Sequence, residues 1–419
     1  MNLQLDGFIR RRFAYLLSLL ITFTLVAYIA VYQYFARPRH FKGDFYAAMY
    51  DPTWWDGTGL FYGPIFVFEK WVVNLFPNVL TVEFFSIQVF MLIVTSLLII
   101  MKTVHADKVF IIFGLFVWLS NSYFYYSYSV AANPEMIELL FLLLMWWAIS
   151  RRLLITAHVF FALAVITKLV PIILFPILLF NFSPYGCVIL AAILIGSIIL
   201  VSIGQSENVF TILKDLVPPH VDPQPKSEQF LGLSNALSRL FGAITQAEFK
   251  WIVLFSGVLI IAIYIFVAFV AYKFHKTFRH SKHEISSAYV FSIFLCLMPI
   301  MHTSNTHRHT FLFIAPIWIA LRFINLNDPN IQRSKTFTRV FNVFLVAYSI
   351  LPIYFLDIFP VSKLFGIHLG ETFYSLVMLT EPMWTNLALL VAIICYGLVM
   401  IKGENGLQVE ATVQTGSGQ

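Results

Sequence analysis

Long uncharged apolar runs alternate with short polar connectors along almost the whole chain. The first run, from Phe13 to Phe35, follows Arg10, Arg11 and Arg12. At about 1.5 Å per residue it is long enough to cross a hydrocarbon core of about 30 Å. It is too long for the apolar part of a signal peptide and has no small-x-small cleavage site, so it reads as a retained helix. Further spans are expected at about 80–101, 108–121, 135–150, 153–167, 169–182, 186–204, 251–272, 285–301, 310–323, 340–356 and 384–401. The pattern predicts an all-α integral membrane protein, a polytopic helical bundle of about 12 transmembrane helices. Residues 1–402 form its single transmembrane domain, and 403–419 read as a disordered cytoplasmic tail. The runs at 153–167 and 169–182 are short for spans, and a broken or re-entrant pair is the alternative there.

Composition agrees. Of 419 residues 59% are hydrophobic and 11% charged, with a mean hydropathy of +0.82. Soluble domains carry about 25% charged residues, and no stretch between the apolar runs is long enough to hold such a domain. Cys187, Cys296 and Cys395 all fall inside apolar runs, where they read as small core residues rather than a disulfide framework.

A net charge of +6 would suggest nucleic acid as a partner for a soluble chain. Its distribution says otherwise. With the N-terminus cytoplasmic, Arg10–Arg12, Lys102, Lys108, Arg151, Arg152, Lys273–Lys282, Arg322 and Arg333–Arg339 fall on one side, in short connectors, and Lys402 joins them. That is the positive-inside asymmetry of a membrane protein with both termini cytoplasmic, and no nucleic-acid partner is implied. The opposite, external or periplasmic, side receives longer mixed segments at about 36–79, 121–134, 205–250, 302–309 and 357–383. Transport pathways concentrate polar groups inside the bundle. Here they collect on one face, which points to chemistry at the outer membrane surface.

Four outer constellations carry candidate chemistry. Asp44 stands beside Phe45 and Tyr46, with Asp51 and Asp56 just beyond. A carboxylate among aromatics near a membrane helix serves as a partly desolvated general base, or belongs to a solvated interfacial loop. Glu135 and Glu138 open an apolar helix after Asn133-Pro134. Acids in a first turn complement the helix dipole, and that simpler role stays open for both. Lys168 lies between two apolar runs in Thr167-Lys168-Leu169-Val170-Pro171, as either a topology break or the partner of an anion. His302, His307, Arg308 and His309 crowd one polar turn and suit a phosphate or sugar hydroxyls. Their spacing matches no standard zinc pattern. No metal or cofactor is called for, and no P-loop, dinucleotide fingerprint or HExxH sequence occurs.

Three of these stretches together carry a resemblance. Asp44-Phe45 after the first helix, the run from Ala162 to Pro171, and the late His-rich turn leading to Pro316 resemble the GT-C glycosyltransferases, which are polytopic membrane enzymes. Within them the chain is most similar to the polyprenol-phosphate-mannose-dependent mannosyltransferases of family 87. The outer stretch Glu228–Leu240, which contains Arg239, resembles a segment of that group. The resemblance covers about 40 to 320 in order, through short motifs. It implies transfer of a sugar, mannose in that family, from a polyprenyl phosphate to a lipid or glycan acceptor hydroxyl, with inversion by single displacement. Membrane lipids would surround the enzyme, and the lipid-linked donor would enter from the bilayer. By position Asp44 would be the base, with Asp51, Asp56 and Glu135 as rivals. Lys168, Arg308 and His309 would hold the donor phosphate, with His302, His307 and Arg239 toward the sugar or acceptor. Two other classes share the hydropathy: a secondary transporter or lipid flippase, and a membrane acyltransferase. No internal repeat of the kind transporters often show is evident.

Overall fold

In a computed structural model the described residues are 136–167, 170–205, 246–280, 283–301 and 390–403, with the isolated helical positions Phe210, Leu233, Leu237 and Leu387. They are helical, and no strand occurs among them. The order is α1 (Met136–Ser150), α2 (Leu154–Thr167), a 3-10 turn (Val170–Leu174), α3 (Phe175–Phe180), α4 (Pro184–Gln205), α5 (Gln246–Phe278), α6 (His283–Met301) and α7 (Leu390–Gly403). The expected spans at 13–35, 80–101, 108–121, 310–323 and 340–356, and the tail, lie outside the described residues.

Local chemistry sets the boundaries. The end of α1 is closed by its own backbone: Leu153 N–H donates to Ala148 O at 2.8 Å and Arg152 N–H to Ile149 O at 2.9 Å. This Schellman pattern puts Arg152 at φ 59°, the left-handed position usually given to glycine. The next helix follows after three residues, so α1 and α2 form a tight antiparallel hairpin. Pro171 lies four residues after Thr167 and offers no N–H to continue α2. Pro176 likewise denies an N–H to the carbonyl of Ile173, and the Tyr264 hydroxyl of α5 donates to that carbonyl instead, at 3.2 Å. Ser183 then caps α4: its Oγ accepts from Gly186 N–H at 3.2 Å, and Pro184 occupies the first helical position.

Several expected boundaries change. The 169–182 run is not one helix but a 3-10 turn followed by a six-residue helix, because two prolines interrupt its ladder. Helix α5 exceeds its expected 251–272, starting at Gln246 and running to Phe278. Lysine is a good helix former, so Lys273 and Lys276 extend the helix rather than ending it. The long segment expected at 205–250 gives up both ends to helices. Within it Leu233 and Leu237, one helical turn apart, join the hydrophobic core instead of a solvated loop.

The core gathers around α1, α2, α5 and α6. Trp146 of α1 stacks on Phe291 of α6 at 6.2 Å, and Phe274 of α5 on Tyr289 of α6 at 3.9 Å. The Tyr289 hydroxyl donates to Ile393 O at 3.2 Å, which ties α7 to the same core. A side chain at Gly397 would collide with that hydroxyl, so glycine is required where α7 meets α6.

Two helices are long and apolar enough to cross a membrane, Pro184–Ile203 in α4 and Lys250–Phe278 in α5. Only 22% and 11% of their apolar windows is buried, unlike the core helix of a soluble protein. On α5 the exposed side chains Trp251, Leu254, Val258, Ile261, Ile265, Phe269 and Tyr272 recur at helical spacing. Their stripe is about 31 Å long at the α-helical rise, close to a hydrocarbon core of about 30 Å. Trp251 and Tyr272 stand at its two ends, where aromatic side chains gather at membrane–water boundaries.

Candidate functional site

The described bundle has two unlike ends. At one, the turns after α1, α3 and α5 converge. His283 Nε2 lies 3.0 Å from Ile149 O, joining the α5–α6 turn to the α1–α2 turn. His275 Nδ1 lies 3.1 Å from Ser286 Oγ, and the His275 ring stacks on Phe180 at 5.9 Å. On α2 His158 is buried, with Nδ1 2.7 Å from Leu154 O and Nε2 3.9 Å from Cys187 Sγ at the start of α4. Gly186 leaves room for that ring, since any side chain there would strike it. Around the buried His158 and His275 and the half-buried His283, the cations Arg151, Arg152, Lys273, Lys276 and Arg279 are exposed. This end corresponds to the connectors expected on the cytoplasmic side. Among its described residues Glu284 is the acid.

The other end is approached by the start of α1 and the ends of α2 and α6. Counting from the α1–α2 turn, Glu138 and Thr167 both lie roughly 20 Å away, since the two helices run antiparallel at about 1.5 Å per residue. Glu138 is 1% exposed, and Thr167 is buried with its hydroxyl donating to Leu163 O at 2.8 Å. A first-turn acid serving only the helix dipole would be expected at the surface. Glu138 is held inside the packed bundle rather than at its surface. The sequence noticed it only as the companion of Glu135; its depth is set by the packing of α1 among its neighbours.

Asp44, Asp51, Asp56, Glu135, Lys168, Arg239, His302, His307, Arg308 and His309 all lie outside the described residues. What the structure describes is the helix ends next to three of them in the chain. Glu135 precedes Met136 of α1, Lys168 follows Thr167 of α2, and His302 follows Met301 of α6. Because α1–α2 and α5–α6 are antiparallel hairpins and His283 joins their turns, these three helix ends share the end opposite the exposed cations. The contacts of His283 with Ile149, His275 with Phe180 and His158 with Cys187 went unread in the sequence, since the partners are far apart in the chain. The described residues hold no group of three or more His, Cys, Asp or Glu able to bind a metal ion.

In comparisons with known proteins, no family model, curated protein or solved structure matches the chain.

Proposed function

We propose that the chain is a GT-C-type membrane glycosyltransferase that moves a sugar, mannose by its family resemblance, from a polyprenyl phosphate to an acceptor hydroxyl on the outer face. The observation that supports this reading is the shared location of three helix ends. The segments singled out for their chemistry around Glu135, Lys168 and His302 adjoin the ends of α1 and α2 and of α6, away from the exposed cations. A bundle with most of its described cations at one end and a buried acid toward the other has the polarity that such an enzyme needs.

In the proposed mechanism Asp44 removes the proton from the acceptor hydroxyl as its oxygen attacks the anomeric carbon. The bond to the phosphate oxygen breaks, and the configuration inverts. Lys168, Arg308 and His309 stabilise the departing polyprenyl phosphate, whose negative charge grows as the bond breaks. His302, His307 and Arg239 orient hydroxyl groups of the sugar or acceptor. Asp51 and Asp56 are rivals to Asp44 for the base, and Glu135 is a third. Polyprenyl-phosphate donors fit a site reached from the bilayer, because the polyprenyl chain stays among the lipids while the sugar reaches the outer face.

The test is transfer by the purified protein, given labelled polyprenyl-phosphate sugars and a panel of lipid and glycan acceptors. Asp44→Asn keeps the size and polarity of the side chain but cannot act as a base. Its transfer rate is expected to fall by at least about two orders of magnitude, with expression and donor binding near wild type. Milder losses are expected for Asp51→Asn and Asp56→Asn. Full activity in all three variants, or no transfer from any such donor by the wild type, would end the proposal.

A further inference from the structure

The apolar stripe of α5 continues directly into a basic one on the same helix face. After Phe269 and Tyr272 come Lys273 and Lys276, both exposed, and the exposed His280 follows in the turn after the helix. Lys273 and Lys276 lie within about 6 Å of Tyr272 along the helix axis, which puts them at headgroup depth if the stripe spans the hydrocarbon core. The Lys273 ammonium sits over the Phe269 ring at 4.6 Å, folded back along the stripe instead of extended into water. A cation held over a ring at a membrane boundary remains available to an anion at that depth.

The neighbouring surface suits a lipid as well. Phe180, at the end of α3, packs between Tyr272 and His275 of α5, with ring centroids at 5.8 and 5.9 Å. Phe182 and Tyr185 follow in the turn to α4 and at its start, exposed by 61% and 75%. An apolar wall for acyl chains, an aromatic edge and two lysines thus succeed one another toward one end of the bundle. The adjoining α1–α2 turn adds the exposed Arg152, and the α5–α6 turn adds Arg279, whose Nε donates to His280 Nε2 at 2.9 Å.

We infer that this face of α5 binds an anionic phospholipid at the basic end of the bundle. The phosphate lies against Lys273 and Lys276, and the acyl chains lie along the stripe toward Trp251. The argument for this occupant is charge complementarity joined to an apolar wall long enough to cover an acyl chain along one leaflet, about half of the hydrocarbon core. A free phosphate would use the lysines and leave the wall uncovered. The inference rests on α5 crossing the membrane and is independent of glycosyl transfer, so loss of either reading leaves the other standing.

Titration of the detergent-solubilised full chain with phosphatidylglycerol and with phosphatidylcholine, read by native mass spectrometry, tests it. Saturable binding of phosphatidylglycerol in preference to phosphatidylcholine is expected. A juxtamembrane lysine is worth about a fivefold change in affinity for an anionic lipid, so Lys273→Gln with Lys276→Gln should weaken binding at least about tenfold. Lys273→Arg with Lys276→Arg should retain it. Lys250→Gln, at the far end of the same helix, should change nothing. Equal uptake of both lipids, binding unaffected by the glutamine pair, or displacement of the lipid by millimolar inorganic phosphate alone would overturn the inference. Should the glutamine pair fail to fold, failure of the arginine pair to retain preference would do the same.

Discussion

Both ends of the bundle bury polar side chains, His158 and His275 at one and Glu138 and Thr167 toward the other, but they treat charged groups in opposite ways. At the basic end the connectors are short, the cations stand exposed, and the backbone closes each helix locally, as in the Schellman turn at Arg152. Toward the other end Glu138 and Thr167 are buried, and the chain after α2 resumes as a 3-10 turn whose Ile173 carbonyl relies on Tyr264 of another helix. Exposed cations at a membrane boundary cost little and fix orientation. Buried polar groups and interrupted helices need a compensating partner or a function. This difference is the reason to look for chemistry away from the cations.

The largest effect expected from this comparison is all-or-none. In a background without the three native cysteines, single cysteines replacing Asp44, Gln229 and Thr306 should react with an impermeant thiol reagent applied from outside. Cysteines replacing Ser281 and Ser334 should react only after permeabilisation. Labelling of the 44 and 306 positions from opposite sides would separate the proposed base from the proposed phosphate site and break the comparison.

Next come the cations assigned to the donor. A charge-assisted hydrogen bond is worth about 1.5–3 kcal/mol, so Lys168→Gln, Arg308→Gln and His309→Gln should each reduce transfer at limiting donor about ten- to a hundredfold. Full activity in all three would withdraw the phosphate assignment and leave Lys168 as a break between two apolar runs.

A smaller effect belongs to stability. Tyr264→Phe removes the hydroxyl that serves the Ile173 carbonyl, and an interhelical hydrogen bond in a membrane is worth about 1 kcal/mol. A thermal or denaturant unfolding measurement should register a loss of that order. An unchanged midpoint would mean that the carbonyl is served equally well without Tyr264.

The smallest effect has the opposite sign. At φ 59° a non-glycine residue carries a penalty of about 1 kcal/mol, so Arg152→Gly should raise stability by up to that amount. Arg152→Ala, which keeps a Cβ in the same conformation, should not. A gain from alanine would mean that the arginine charge, rather than the backbone, is what costs stability at this turn.

Much of this architecture is legible along the chain because its signals are local. A run of apolar residues marks a helix whatever packs against it, and the spans at 135–150, 186–204 and 285–301 agree with α1, α4 and α6 to within a few residues. Pro171 and Pro176 likewise mark the region where 169–182 fails to form one helix, since two N–H groups five residues apart are missing from the ladder, whereas the single Pro299 near the end of α6 does not stop that helix. Of the candidate site, the sequence supplied the residue types and the order in which they occur. The shared end of the helices that adjoin Glu135, Lys168 and His302 in the chain depended on hairpin directions, which alternating spans predict in outline.

What only the tertiary structure decided is depth and partnership. Uniformly apolar helices carry little periodic contrast, because lipid and protein interior both accept leucine and phenylalanine, so their sequence cannot tell the exposed apolar stripe of α5 from the buried face of α6. Burial of Glu138, the stacking of Phe180 on His275, the contact of His283 with Ile149 and the clearance that Tyr289 needs at Gly397 each join residues distant in the chain or set by helix rotation. The sequence by itself determined that the chain makes apolar helices, where they break and at which helix ends most of the cations stand, because those depend on each residue's own solvation and backbone chemistry. Which faces meet, and how deep the polar groups lie, depended on side-chain packing between helices, which local chemistry does not encode.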